Sequence, residues 1–310
     1  MGRTTGESQI SLRLCAMKET IEVIVSMKRS RCCIYLHAHT DDWQFFQTPN
    51  ICRDVDSGYY VTIIVVSASV PTPQSYATNT YSEYGFAREE GNKASIAMLT
   101  EESCWSNERI TVQGHDISTN NFGNLSLVSM KLPTCATGQL LCGTDPEVAR
   151  TTGYGWPAFN CESLGQLRDS GKPIRAIDSS TSYSSWNDMI DTLQGIIERV
   201  HRDRSVWLNA PEFDRLLNPH DHPDHYAVAD AAKILSDKLA CTTILYSGYD
   251  IANRPVNLDA HGQEIKRKLF QTYTKKVVEL YGSDPDYDVN SPQYNAFLLR
   301  TYFRPLAPIK

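Results

Sequence analysis

Apolar positions along this chain come in two rhythms, short runs and longer patterns at helical spacing. Cys32 to Leu36 (Cys-Cys-Ile-Tyr-Leu) is a brief apolar run that suits a strand buried on both faces. Tyr59 to Val66 (Tyr-Tyr-Val-Thr-Ile-Ile-Val-Val) is rich in β-branched residues and predicts a second strand. A helix is expected through Phe86 to Leu99, and strands over Arg109–Val112 and Leu125–Met130. The clearest helix starts near Trp186, where Ser185 and Asp188 stand at capping distance. Met189, Ile190, Leu193, Ile197 and Val200 then recur on one helical face. A strand follows at Ser205–Leu208, a helix at Tyr226–Leu239, a strand at Thr242–Tyr246 and a long helix at Ile265–Tyr281, with Lys275 and Lys276 outward. Two stretches read as long loops: Ser67 to about Tyr84, dense in Pro, Ser, Thr, Asn and Tyr, and Pro133 to Cys161.

Strands alternating with helices predict an α/β fold, Rossmann-like, with a mostly parallel sheet and helices on both faces. Ligands in such sheets bind where loops leave the carboxyl ends of strands. Residues 31–310 are expected to form a single α/β domain, and residues 1–30 an N-terminal extension of uncertain structure. Within that extension Glu19 and Glu22 interrupt the only apolar stretch, so no signal-peptide core is expected. No apolar run approaches the ~20 residues of a membrane span.

The net charge of −6 and the lack of a basic stripe argue against a nucleic-acid partner. Nine cysteines, an odd number, include no Cys-x-x-Cys pair, which reads as scattered reduced thiols and a cytoplasmic location. Nothing in the sequence fixes whether copies of the chain associate as a homo-oligomer.

Chemistry concentrates in two polar clusters, each following a strand. His39, Asp41 and Asp42 lie directly after the first buried strand, where neighbouring carboxylates repel unless something positive lies between them. A divalent cation is the economical answer, and imidazole with carboxylate suits zinc. A solvated loop whose acids cap the next helix is the alternative. Of the eight histidines, three fall in the second cluster: Pro219-His220-Asp221-His222-Pro223-Asp224-His225. Its proline stiffens the loop, and Asp224 is placed to hold a neighbouring imidazole. A polar loop capping the following helix is again the alternative. Taken together, the clusters supply three metal ligands, with a carboxylate and an imidazole left for acid and base duty.

Ala38-His39-Thr40-Asp41-Asp42 resembles the Ala-His-Pro-Asp-Asp-Glu signature of the PIG-L/LmbE-like zinc-dependent de-N-acetylases. His222-Pro223-Asp224-His225 is similar to the second signature of that family, His-Pro-Asp-His, and the two stand in the family's order. The resemblance implies one catalytic Zn2+ held by His39, Asp42 and His225. It implies Asp41 as the general base toward a metal-activated water. It implies His222 as oxyanion stabiliser and acid, positioned by Asp224. The implied reaction removes an N-acetyl or other N-acyl group from an amino sugar or glycoconjugate, as in natural-product biosynthesis. Arg88, Trp43 and His220 become candidates for substrate binding.

Two positions depart from the signature: Thr40 stands for the proline and Trp43 for the glutamate. Trp43 either lines the pocket or packs under the loop. His37, alternating with His39, is expected on the other face as a core or supporting histidine. His115-Asp116 reads as structural or as part of the pocket rim, and Tyr183, Tyr246 and Tyr249 as pocket aromatics. The rival readings are an amidase acting on a thiol or other amide conjugate, a sugar-binding protein that keeps the metal without catalysis, and a two-metal phosphodiesterase.

Overall fold

The computed structural model of the chain describes residues 31–69, 83–134, 164–283 and 292–306. The extension over 1–30, most of the two long loops expected from the sequence, and Cys15, Cys135, Cys142 and Cys161 lie outside the described residues.

The sheet is built from β1 (Arg31–His37), β2 (Tyr60–Ser67), β3 (Ser106–Val112), β4 (His115–Phe122), β5 (Leu125–Leu132), β8 (Ser205–Pro211), β9 (Thr242–Tyr246) and β10 (Phe303–Pro305). A separate small hairpin pairs β6 (Ile174–Arg175) with β7 (Ser182–Tyr183) antiparallel. In space the order is β10-β9-β8-β1-β2-β5-β4-β3. From β9 to β5 neighbours run parallel, whereas β10 on one edge and β4 and β3 on the other are antiparallel. The mostly parallel α/β sheet expected from the pattern is therefore observed.

Residue alternation in the central strands feeds two cores. Cys32, Ile34 and Leu36 join Ile64, Val66, Leu208 and Ala210 on one face. That face is covered by α3 (Leu164–Ser170), α4 (Trp186–His201) and α5 (Pro223–Leu239). Cys33 and Tyr35 join Val61, Ile63 and Val65 on the other, beneath α1 (Asn50–Asp56), α2 (Glu83–Thr100) and α6 (Ala260–Tyr281). The apolar stripe expected for α4 is the one it buries, and Ser185 accepts from the Asp188 backbone N–H at 3.2 Å. A third cluster joins Phe45, Phe46, Phe270, Tyr273 and Phe297, the last from α7 (Pro292–Leu298). Among the described residues no helix is long and apolar enough to cross a membrane.

Two details of this topology position the site. The chain leaves β1 toward β2 and β5, then returns to β8 on the opposite side of β1. The loops after β1 and β8 therefore part at a topological switch point, where a crevice opens at the carboxyl edge of such sheets. β1 is also followed by a tight π-helical turn, Trp43–Gln47, which turns the acidic pair back over the strand end.

Candidate metal centre

The loop after β1 is folded by its own acid. Oδ2 of Asp42 accepts the backbone N–H groups of Ala38 at 3.0 Å and His39 at 2.8 Å. That locks Asp42 across the strand end and leaves Oδ1 facing inward. Thr40 donates its N–H to Ser69 Oγ at 2.9 Å, a bond the family's proline could not make, and its hydroxyl lies 3.2 Å from Tyr273 Oη.

The second loop owes its shape to the start of α5. Pro223 occupies the first helical position, where a missing N–H costs nothing. His222 caps the helix: its Nδ1 accepts the Asp224 backbone N–H at 3.1 Å. One turn on, His225 points back toward β1.

The two loops meet. His39 Nδ1 lies 3.1 Å from His225 Nε2, His225 Nε2 lies 3.1 Å from Asp42 Oδ1, and His39 Nδ1 lies 3.5 Å from Asp42 Oδ1. All three residues are buried and stand as a potential cation-binding group. The far nitrogen of each ring identifies what faces this triangle. His225 Nδ1 donates to the Asp221 carboxylate at 2.7 Å. His39 Nε2 faces Thr134 Oγ1 at 3.2 Å and Asp224 Oδ2 at 3.5 Å, an environment for an N–H. Each ring thus presents a lone pair to the other and to a carboxylate oxygen. Three lone pairs in contact repel unless a cation lies among them.

The spacing fits a metal. Zinc bonds of ~2.0–2.2 Å in a tetrahedron set N and O ligands roughly 3.3–3.5 Å apart. The donor set of two imidazoles and one carboxylate is one that zinc favours. The electrostatics point the same way. Burial opposes charge on His39, yet Asp42 and Asp224 outweigh it and push its pKa up to about 9. Burial likewise opposes charge on His225, which Asp221 and Asp42 raise well above the usual histidine range. Asp42 is held well below the usual carboxylate range despite its burial, by His225 and then His39. Positive charge is drawn into the centre of the triangle from all sides.

Asp41 is gripped by an arginine. Its Oδ1 accepts from Arg88 Nη2 at 2.8 Å, and both side chains are buried. Arg88 also donates to Tyr273 Oη at 2.8 Å and to the Ser69 carbonyl at 2.9 Å.

His222 stacks edge-on against His39, with ring centroids 4.6 Å apart. Because its Nδ1 accepts a backbone N–H, the proton of the neutral ring sits on Nε2. Burial and the positive His39 lower its pKa to about 3. His39, His222 and Asp224 also form a second potential cation-binding group. That group is looser, with 3.9 Å between His222 Nδ1 and Asp224 Oδ2, and its His222 nitrogen is already engaged by the helix cap.

Several expectations need correction. Asp224 positions the His222 ring by its backbone N–H, while its Oδ2 accepts from Thr134 at 2.5 Å, faces His39 and stands 3.9 Å from His222 Nδ1. Burial pushes that carboxylate's pKa up, but the bond from His39, the charge of His222 and His39 and the Thr134 hydroxyl outweigh it and hold it at about 2. Trp43 does not line a pocket: it is 0% exposed, packs in the core with Ile51 and Ile96, and donates to Asn92 Oδ1 at 2.8 Å. His220 is exposed, at φ 59°, on the loop before the site. His37 meets its expectation as a core histidine: it is buried on the face of the sheet opposite Leu36, its pKa lowered to about 4 by burial.

Other expected residues fall at a distance. His115 is structural, bridging Thr181 Oγ1 at 2.7 Å and Asp188 Oδ1 at 2.9 Å and stacked on Tyr183. Tyr246 bonds Asn209 and Asn50 inside the sheet. Of the three tyrosines Tyr249 reaches the centre, edge-on to the His225 ring at 5.2 Å and beside Phe46, which meets the same ring at 5.7 Å. Sequence reasoning assigned no role to Asp221, Thr134 or Asn218. The available signal for Asp221 was its position four residues before His225, one helical turn across a helix start.

No family model and no curated protein matches this chain. Among solved structures, a deacetylase from the teicoplanin biosynthesis pathway, in complex with teicoplanin, is similar at 12% identity and a TM-score of 0.45, over 81% of this chain and 89% of that one. The N,N'-diacetylchitobiose deacetylase of Pyrococcus horikoshii is similar at 13% identity and a TM-score of 0.38, over 91% and 85%. The 4-carboxy-2-hydroxymuconate hydratase of Pseudomonas putida gives 12% and 0.36, over 81% and 83%. Similarities at this level leave the chemistry to be read from the side chains.

Proposed function

We propose that this chain is a metal-dependent amide hydrolase, a de-N-acetylase of the PIG-L/LmbE-like kind acting on an N-acetylated amino sugar or its conjugate. The observation that carries this reading is the triangle of His39 Nδ1, Asp42 Oδ1 and His225 Nε2, three lone pairs 3.1–3.5 Å apart from two loops far apart in sequence. These three residues would hold one Zn2+, leaving a fourth direction open, as catalytic zinc sites do. When bound, the metal would supply Lewis acidity toward a carbonyl oxygen and toward water.

The chain's own residues complete the chemistry. Asp41 sits beside a ligand in sequence, and Arg88 holds its carboxylate in one orientation. It would accept a proton from the attacking water and return it to the leaving nitrogen. His222 carries its hydrogen on Nε2 because the helix cap occupies Nδ1. It would donate that hydrogen to the amide oxygen as negative charge develops there. Phe46 and Tyr249 pack against one side of the His225 ring and against each other, with centroids 6.0 Å apart, and so help hold that ring in place.

The test is acetate release from a panel of N-acetylated amino sugars by the zinc-loaded protein, followed by mass spectrometry. Asp41→Asn is expected to keep its zinc and lose roughly 10²–10⁴-fold in kcat, the range of a general base. Undiminished turnover in Asp41→Asn would remove Asp41 from the mechanism. Bound sugar with no acetate release from the wild type would instead favour a binding protein, and release from thiol conjugates alone would favour the other amidase.

A further inference from the structure

Asp221 lies outside both signatures, yet four donors engage its carboxylate beside the centre. Its side chain is 0% exposed. Oδ1 accepts from His225 Nδ1 at 2.7 Å, from the His222 backbone N–H at 2.9 Å and from the Tyr249 backbone N–H at 3.3 Å. Oδ2 accepts from Asn218 Nδ2 at 2.6 Å. Four donors converge on it from the loop after β8, the start of α5 and the turn after β9.

The donors are themselves fixed. Asn218 accepts the Gly248 N–H on its amide oxygen at 2.9 Å, so its NH2 group must face Asp221. The Tyr226 hydroxyl ties the Asn218 carbonyl, at 2.7 Å, to the Asp221 backbone N–H, at 3.1 Å. Gly248 lets the carboxylate in: a Cβ there would stand 2.2 Å from Asp221 Oδ2. A carboxylate surrounded only by donors acts as an ionised acceptor, so the proton on His225 is confined to Nδ1 and the lone pair to Nε2.

We infer that Asp221 is a positioning residue: through His225 Nδ1 it fixes the ring's tautomer, orientation and donor strength, and so sets the affinity of the centre for a divalent cation. The inference rests on the metal-site reading above and adds a residue that neither signature contains. Carboxylates behind a ligating imidazole typically govern metal affinity by 10–100-fold. The loop after β8 and the turn at Gly248 thereby become parts of the centre without touching the metal. Asp224 and Thr134 back His39 in a parallel way, but at 3.5 Å and through a shared hydroxyl, so Asp221 is the stronger support.

The experiment is a Zn2+ titration of the full chain against a chromophoric chelator, comparing wild type, Asp221→Asn, Asp221→Ala and Gly248→Ala. Co2+ spectra and thermal melts are recorded on the same samples. Asp221→Asn is expected to retain its fold and lose 10–100-fold in Zn2+ affinity, with altered Co2+ d–d bands. Gly248→Ala, which displaces the carboxylate without removing it, is expected to move both readouts in the same direction by less. If Asp221→Asn melts earlier but binds Zn2+ within twofold of wild type with the same Co2+ spectrum, the residue is only structural and the inference is overturned. If wild type binds no Zn2+ or Co2+, the metal reading falls first and this inference with it. Binding by wild type with unaltered Asp221 variants sinks the inference alone.

Discussion

At the scale of single residues, environment decides which groups react. Burial raises the pKa of the Cys32 thiol to about 11 and, with Asp56 nearby, that of Cys52 to about 12, and it pushes Cys33 higher still. A raised pKa withdraws thiolate, the reactive form, so at pH 8 Cys32 carries roughly 100-fold less of it than in an unfolded chain, and Cys52 and Cys33 roughly 1000-fold less or lower. Alkylation at pH 8 with peptide mapping is therefore expected to label exposed Cys104 quickly, and Cys32, Cys33 and Cys52 only after unfolding. Labelling of Cys33 at the rate of Cys104 would contradict the packing of β1. The same contrast between type and environment separates what could be read in the sequence from what could not. His39, Asp42 and His225 were legible because ligand chemistry restricts residue type and spacing. Trp43 was ambiguous, since an indole suits a sugar face as well as a core, and only its 0% exposure decides. Asp221 carried one faint signal, its place four residues before His225, because the rest of its role depends on Asn218, Gly248 and Tyr249 closing around it, contacts with no local pattern.

At the scale of elements, α2 and α6 stand where the pattern put helices, but the character of the face that α2 buries was not legible. α2 buries Arg88, Glu89 and Lys93 beside Ala87 and Ile96, so its inward face carries charge and no apolar stripe marks it. The ion pairs of Lys93 with Glu89 at 3.2 Å and Glu90 at 2.8 Å explain how that face tolerates burial. β4 was missed for a similar reason: Ser118, Thr119, Asn120 and Asn121 read as turn chemistry but pair along β3 and β5. α4 and β9 were legible because apolar periodicity and burial coincide in them. The α2–α6 crossing also carries a test. Gly91 lies against α6 so closely that a Cβ would meet the Tyr273 carbonyl at 2.9 Å and Val277 at 3.0 Å. Gly91→Ala gains ~1 kcal/mol of helix propensity but forces the helices apart, an overpacking cost of about 1–3 kcal/mol. Chemical denaturation is expected to show net destabilisation, and turnover is expected to fall as well, because the crossing sets the Arg88–Tyr273 bond that steadies Asp41. A variant as stable and active as wild type would mean that the crossing is looser than described.

At the scale of the whole molecule, the sheet's change of direction between β1 and β8 brings the two loops together. The Rossmann-like reading placed both loops at carboxyl ends of strands, while the reversal that makes them neighbours is given by the strand order alone. The edges were not anticipated: β10 and the β3–β4 hairpin join antiparallel, from segments too short or too polar to announce themselves. The account depends on one event, the capture of a cation between those loops. The most direct measurement is the anomalous scattering at the zinc edge from crystals of the chain grown with Zn2+. The expected result is a single strong peak at bonding distance, ~2.0–2.2 Å, from His39 Nδ1, Asp42 Oδ1 and His225 Nε2. A peak lying elsewhere, or none at the meeting of the two loops, would contradict it.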